Sequence, residues 1–226
     1  MTSVFLQGGL GNQLFQIATA YAHSKTVGDK LTLERGQHHL PLQGSNVDTY
    51  KDIFYKDLDF VDSIETSGVY HEPVFGYSSI PLSTNLYLVG YFQSEKYFAK
   101  HAAEIKRLFD VDRYKGKLKD TISLHVRRGD YLNVQDNHPC LSMEYYSSAL
   151  QEFPEEFKVF VFSDDIKWCK ENFTGDRFEF VEGQKDHEDL LQMVRCSNHI
   201  IANSSFSWWG AWLSGEDGKV IAPKKW

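Results

Sequence analysis

The feature that most restricts this chain is the alternation of apolar runs with amphipathic stretches through its second half. Lys158-Val-Phe-Val-Phe162 is apolar after its first residue, the pattern of a strand covered on both faces. Thr121-Ile-Ser-Leu-His-Val126, Arg177-Phe-Glu-Phe-Val181, His199-Ile-Ile-Ala202 and Lys219-Val-Ile-Ala222 read as further strands, the last stopped by Pro223. Helix-like segments lie between them, over 142–153, 164–172 and 206–213. Another opens near Asp186, a favourable N-cap, with Asp189 three positions on and Leu190, Leu191, Met193 and Val194 as its apolar face. Strands that alternate with helices form parallel βαβ units in a doubly wound sheet.

The first half opens the same way, with a strand over 3–7, a turn at Gly8-Gly-Leu-Gly-Asn12, a helix from Gln13 to Ser24 and a short strand over 31–34. From 36 to 83 the pattern weakens, with Pro, Gly and Ser among aromatics. It resumes with a strand over 86–89 and a helix over 95–109. The polar, lysine-rich stretch from Tyr114 to Lys119 marks a boundary, so the expected domains are residues 1–115 and 116–226.

Composition narrows the function classes. With 42% hydrophobic and 15% aromatic residues the chain can build a real core. A formal net charge of −7 excludes the broad basic surface that nucleic acid requires, so an anion must be held by a local cluster of donors. Cys140, Cys169 and Cys196 are odd in number and form no CxxC pair, which points to three reduced thiols rather than a disulfide scaffold or zinc knuckle. No apolar run approaches the ~20 residues that span a bilayer. The expectation is a cytoplasmic protein, soluble or peripheral on the cytosolic side of a membrane.

Open parallel sheets bind ligands beyond the carboxyl ends of their strands. In the second half those ends carry His125-Val-Arg-Arg-Gly-Asp130, Ser163-Asp-Asp165 and Asn203-Ser-Ser-Phe-Ser207, the last opening a helix. Two arginines, a histidine, hydroxyls and a helix N-terminus suit a diphosphate. Each element also has a plainer reading. Arg127-Arg128 would serve equally as a salt-bridged edge. Asp164-Asp165 fits helix capping, and resembles the metal-binding carboxylates of other transferases, but adjacent residues at a helix start point in different directions; no metal is expected. Trp208, Trp209 and Trp212 read as core packing for the last helix rather than a sugar platform. Gly8-Gly-Leu-Gly-Asn-Gln13 follows a strand and opens a helix, yet Leu14 stands where a dinucleotide fingerprint needs its third small residue.

Five motifs occur in order: Gly8-Gly-Leu-Gly-Asn-Gln-Leu-Phe-Gln16, Gly90-Tyr-Phe-Gln-Ser94, His125-Val-Arg-Arg-Gly-Asp-Tyr131, Val161-Phe-Ser-Asp-Asp165 and Asn203-Ser-Ser-Phe-Ser-Trp-Trp-Gly-Ala-Trp212. Together they resemble the α-1,2-fucosyltransferase family, from about residue 3 to the C-terminus. The resemblance implies a GT-B-like α/β fold of two Rossmann-type domains with parallel sheets, the N-terminal one small. The C-terminal domain would hold GDP-fucose, and a galactose-containing glycan acceptor would sit in the cleft. The implied reaction is inverting transfer of L-fucose without cofactor or essential metal. Arg128 and Arg127 would neutralise the leaving diphosphate, helped by Asn203, Ser204, Ser205 and Phe206 at the helix start. His125 would contact a phosphate or the nucleotide, and Asp130 would be the general base. Gly9, Gly11, Asn12, Asp164 and Asp165 complete the expected substrate site. The competing classes are a non-catalytic nucleotide-sugar or glycan-binding protein, a transferase for another nucleotide sugar, and a nicotinamide oxidoreductase, which the broken glycine fingerprint disfavours.

Overall fold

The computed structural model describes residues 1–35, 47–111, 116–136, 138–215 and 217–225. The chain divides into two compact units, Met1–Asp112 and Arg113–Trp226. Tyr114 and Lys115, where the expected boundary begins, lie outside the described residues, as does the weakly patterned stretch over 36–46.

The first unit contains β1 (Ser3–Val4), α1 (Leu10–Val27), β2 (Leu33–Glu34), α2 (Val47–Tyr50), β3 (Phe60–Val61), β4 (Gly68–His71), β5 (Leu86–Val89) and α3 (Ala102–Leu108). Its strands pair in parallel, in one sheet ordered β1-β5-β4 and a separate β2-β3 pair. α1 is buried almost all round, with Leu14, Ile17 and Ala18 fully enclosed. The buried amides of Gln13 and Gln16 are satisfied by the backbone of Gly8 and Gln7, which ties the helix start to the end of β1. This anchoring starts the helix at Leu10, ahead of the expected Gln13: both Asn12 N and Gln13 N already bond to Gly9 O.

Two sequence expectations are corrected here. Strands β3 and β4 were not foreseen, because two to four residues carry too little periodicity. The single helix expected over 95–109 is instead two 3-10 turns, Glu95–Tyr97 and Ala99–His101, followed by α3. Between the turns Phe98 leaves helical geometry at φ −137° and sinks its ring against Phe15, with ring centroids 5.9 Å apart. Burial of that ring outweighs helix propensity.

The second unit contains β6 (Leu118–Val126), α4 (Met143–Leu150), β7 (Lys158–Ser163), α5 (Ile166–Asn172), β8 (Phe178–Phe180), α6 (Asp186–Arg195), β9 (Cys196–Ile200), α7 (Ser205–Ser214) and β10 (Val220–Ile221). Its five strands are all parallel, in the order β10-β9-β6-β7-β8. Leu124, Val159 and Val161 are fully enclosed, each contributing roughly 1.5–3 kcal/mol of transfer free energy. The N-cap of α6 is Lys185, not Asp186: the Glu188 carboxylate reaches back to Lys185 N at 2.8 Å. Trp209 is core, as expected, whereas Trp208 and Trp212 are half-buried and stack on each other at 6.0 Å. The three cysteines are free thiols, two of them buried. Among the described residues no helix is long and apolar enough to cross a membrane.

Candidate active site

In the second unit the register sets Val126 beside Ser163, so the residues that follow β6 and β7 leave the sheet together. Asp164 Oδ1 accepts from the backbone N–H of Arg128 at 2.9 Å, and Oδ2 pairs with Arg127 Nη1 at 2.9 Å. This approach needs a glycine next in line: a Cβ on Gly129 would lie 2.6 Å from Asp164 Oδ2. Asp165 caps α5 through Trp168 N and pairs with Arg128 Nε at 3.2 Å. The Arg128 guanidinium lies 4.1 Å from the centre of the Trp168 ring. Arg127 also pairs with Asp130 at 2.7 Å and sits over Tyr131.

Thus both plainer readings hold in geometry: the arginines are ion-paired and Asp165 is a cap. The two arginines nevertheless differ. Arg127 bridges two carboxylates through its terminal nitrogens, while Arg128 is pinned at Nε and along its flat face, and its two terminal nitrogens have no partner among the described residues. A guanidinium held this way presents a preorganised fork for an oxyanion pair.

His125 lies below this rim. Its Nδ1 is 2.8 Å from Ser207 Oγ, which also accepts from Ala202 N at 3.3 Å. Burial, with a further push from Arg127, lowers its pKa to about 3. The ring is therefore neutral at pH 7 and can fix the first turn of α7 to the end of β6 without adding charge. Ser204 caps α7 by accepting from Phe206 N at 3.3 Å, and Ser205 and Phe206 follow in its first turn. Asn203 staples a loop instead of standing free: its Nδ2 donates to Pro139 O at 3.0 Å and its backbone carbonyl accepts from Tyr131 OH at 3.0 Å.

One residue of this site was missed. A cleft of about 270 Å³ opens beside Asp164, lined also by Ser163, Ile166, Val181, Gly183 and Asp189. Burial, reinforced by Asp186 and Glu188, pushes the Asp189 carboxyl up to about 6, and its Oδ1 is buried without a hydrogen-bond partner among the described residues. The available signal was its position four residues before buried Met193, which sets an acid on the helix's apolar stripe.

The second unit thus brings together His125, Arg127, Arg128, Asp130, Asp164, Asp165, Asn203, Ser204, Ser205 and Phe206. Gly9, Gly11 and Asn12 belong to the first unit, where Asn12 Oδ1 accepts from Gln93 Nε2 at 2.7 Å and so joins two of the sequence motifs.

Paired arginines and a helix N-terminus at the strand ends of a parallel α/β sheet fit a glycosyltransferase, and comparison with known proteins shows that class for this chain. The sequence profile described as Glycosyl transferase family 11 matches residues 1–226. The chain belongs to that family and is an enzyme. It is 34% identical to an alpha-1,2-colitosyltransferase of Escherichia coli, covering 98% of this chain and 90% of the relative. It is 26% identical to galactoside alpha-(1,2)-fucosyltransferase 1 of Bos taurus, covering 96% and 67%. The fold is similar to that of POFUT1, solved in complex with GDP-fucose, with a TM-score of 0.57, 14% identity and 97% of each chain covered. The parallel-sheet α/β fold is therefore the one shared by GT-B-like fucosyltransferases, as the motifs implied.

Proposed function

We propose that this enzyme transfers L-fucose from GDP-fucose, with inversion and without a metal, to a glycan hydroxyl, O2 of a terminal galactose. The observation that carries the reading is the open Arg128 fork at the strand ends, pinned at Nε by Asp165 and at the backbone by Asp164. Arg128 would bind the diphosphate and oppose the charge that grows as the glycosidic bond breaks. The N-terminus of α7, fixed by His125 through Ser207, would add backbone donors.

Asp189 favours guanine. A guanine edge offers N1–H and the 2-amino group side by side, and one carboxylate accepts both. Uracil and adenine present no such donor pair. Asp130, expected as the general base, has a carboxylate oxygen on Arg127. We assign it the positioning of that guanidinium, because its carboxylate is engaged there at 2.7 Å. The acceptor class is supported by the galactoside alpha-(1,2)-fucosyltransferase relative. The free thiols fit a reducing cytoplasm, where we place the enzyme, either soluble or peripheral at a membrane.

A second reading is favoured by the higher identity to an alpha-1,2-colitosyltransferase: transfer of a deoxysugar related to fucose. The test is donor hydrolysis across GDP-fucose, GDP-mannose, nucleotide-linked colitose and UDP-sugars, alongside thermal shifts with GDP, UDP, ADP and NAD. GDP at ~100 times its dissociation constant should add about 2.7 kcal/mol. A larger shift with NAD or UDP than with GDP would sink the reading, and turnover of the colitose donor in preference to GDP-fucose would select the second.

A further inference from the structure

The loop that follows β6 carries more than the arginine pair. Residues Asp130–Asn133 form a 3-10 turn. Leu132 N donates to Arg128 O at 2.9 Å, and Val134 N donates to Tyr131 O at 3.1 Å. His138 N returns to Val134 O at 2.9 Å, and the His138 ring stacks on Tyr131 with centroids 5.0 Å apart. Asn203 holds the same loop at Pro139 and Tyr131. The turn is therefore braced along its length and not a loose surface segment.

This braced turn leaves Leu132 44% and Val134 42% exposed. Apolar residues scattered singly over a surface need no explanation. These two are not scattered. Among the described residues of the second unit, the only other large apolar side chain exposed to this degree is Val220, on β10. Leu132 and Val134 stand four and six positions after Arg128, and the Leu132 backbone is bonded to that of Arg128 itself. Gln135, next along, donates its side-chain amide to Leu132 O at 3.3 Å, so its polar group is turned onto the backbone. The result is an apolar lip beside the guanidinium fork.

The chemistry of the fork selects what meets this lip. A diphosphate held by Arg128 carries its sugar through the glycosidic oxygen, so the C5 substituent of that sugar lies about one pyranose width away. In an ordinary hexose the substituent is a hydroxymethyl group, which needs hydrogen-bond partners. In a 6-deoxy sugar it is a methyl group, which gains from contact with apolar side chains. Leucine and valine offer no donor or acceptor, so they favour the methyl group and leave a hydroxyl at C6 unpaired.

We propose that Leu132 and Val134 determine donor specificity, forming an apolar lip that selects a 6-deoxy sugar by its C5 methyl group. The inference rests on the nucleotide-sugar reading of the Arg128 fork. It holds for fucose and colitose alike, since both are 6-deoxy sugars.

The test is calorimetric titration of the full chain with GDP, GDP-L-fucose and GDP-L-galactose, the last differing from the second only by a hydroxyl at C6. Wild type binds the fucose compound about tenfold more tightly than the galactose one, the low end for a single apolar group. Leu132→Ser and Val134→Thr each cut that preference to about threefold or less, while Leu132→Met and Val134→Ile, which keep the apolar surface, retain it. GDP alone binds every variant as it binds wild type, which shows that all are folded with the fork intact. The proposal is overturned if the Ser and Thr variants keep the full preference, or if wild type binds the two sugar nucleotides alike. It is also overturned if GDP affinity falls in step with the preference, because the turn would then only support the fork. A wild-type dimer that Leu132→Ser dissociates overturns it as well, since a second copy would be the occupant. Those outcomes leave the donor reading standing; a wild type that binds none of the three compounds sinks that reading and the lip with it.

Discussion

The two units solve one geometric problem in the same way and to opposite ends. In each, a carboxylate just past a parallel strand reaches backbone N–H groups across a glycine that leaves room for it: Asp164 across Gly129, and Glu72 across Gly90. In the second unit the carboxylates also hold guanidinium groups, and the edge becomes an anion site. In the first, the carboxylate reaches two backbone N–H groups and lies beside the Tyr97 hydroxyl, and it holds no guanidinium. The framework is common, and the side chains hung on it decide which charge each edge presents.

The largest expected effect is on the charged edge. Arg128→Ala should reduce transfer ~10²–10³-fold, the cost of removing one preorganised donor from a developing oxyanion. Because Arg128 already stacks on Trp168 and pairs at Nε, lysine should restore only a small part. Asp130→Asn, which removes a partner of Arg127, should raise the donor KM more than it lowers kcat. Initial-rate kinetics check all three, and near wild-type turnover of Arg128→Ala would move the donor site elsewhere.

Exchanging the two glycines sharpens the comparison. Gly129→Ala and Gly90→Ala each force a carboxylate aside at about 1–3 kcal/mol. The first should weaken GDP binding; the second should lower the melting temperature and leave GDP affinity unchanged. Calorimetric GDP titration and thermal melts read both. If Gly90→Ala loses GDP as well, the edges are not independent.

Asp189→Asn should cost GDP about tenfold to a hundredfold at pH 7, the range for a charged hydrogen bond. Wild-type affinity for GDP should fall as pH drops through about 6, where the Asp189 carboxyl takes up its proton, and the Asn variant should lack that limb. The raised pKa also has a sign for stability. The folded protein holds this proton more tightly than the unfolded chain, so wild type loses stability as pH rises from 3.8 to about 6. Without ligand, the Asn variant should therefore melt higher than wild type at pH 8, and the gap should close below pH 4. A smaller effect still, namely none, is expected of EDTA on transfer, since Arg128 and the α7 N-terminus supply the neutralisation a metal would give. Loss of activity restored by Mg²⁺ or Mn²⁺ would make ligands of Asp164 and Asp165.

What the sequence determined by itself is local. The apolar run over 158–162, the β-branched stretch ending at Val126 and the polar openings of the helices specify strands, helices and their alternation, and alternation implies a parallel sheet whose ends carry the site. The charged residues were legible because they follow strands directly. Tertiary structure alone decided their partners. Arg128 meets Asp164 and Asp165 from 36 and 37 positions away, and nothing in the local pattern says which arginine bridges carboxylates and which keeps its fork open. The same holds for Asp189, whose carboxyl is pushed up by burial beside the segments that follow β7 and β8, and for the edge around Glu72, where β4 is too short to announce itself. Periodicity records which face of an element is buried. Desolvation, ion pairing and the exposure of a ring depend on groups brought together only by folding.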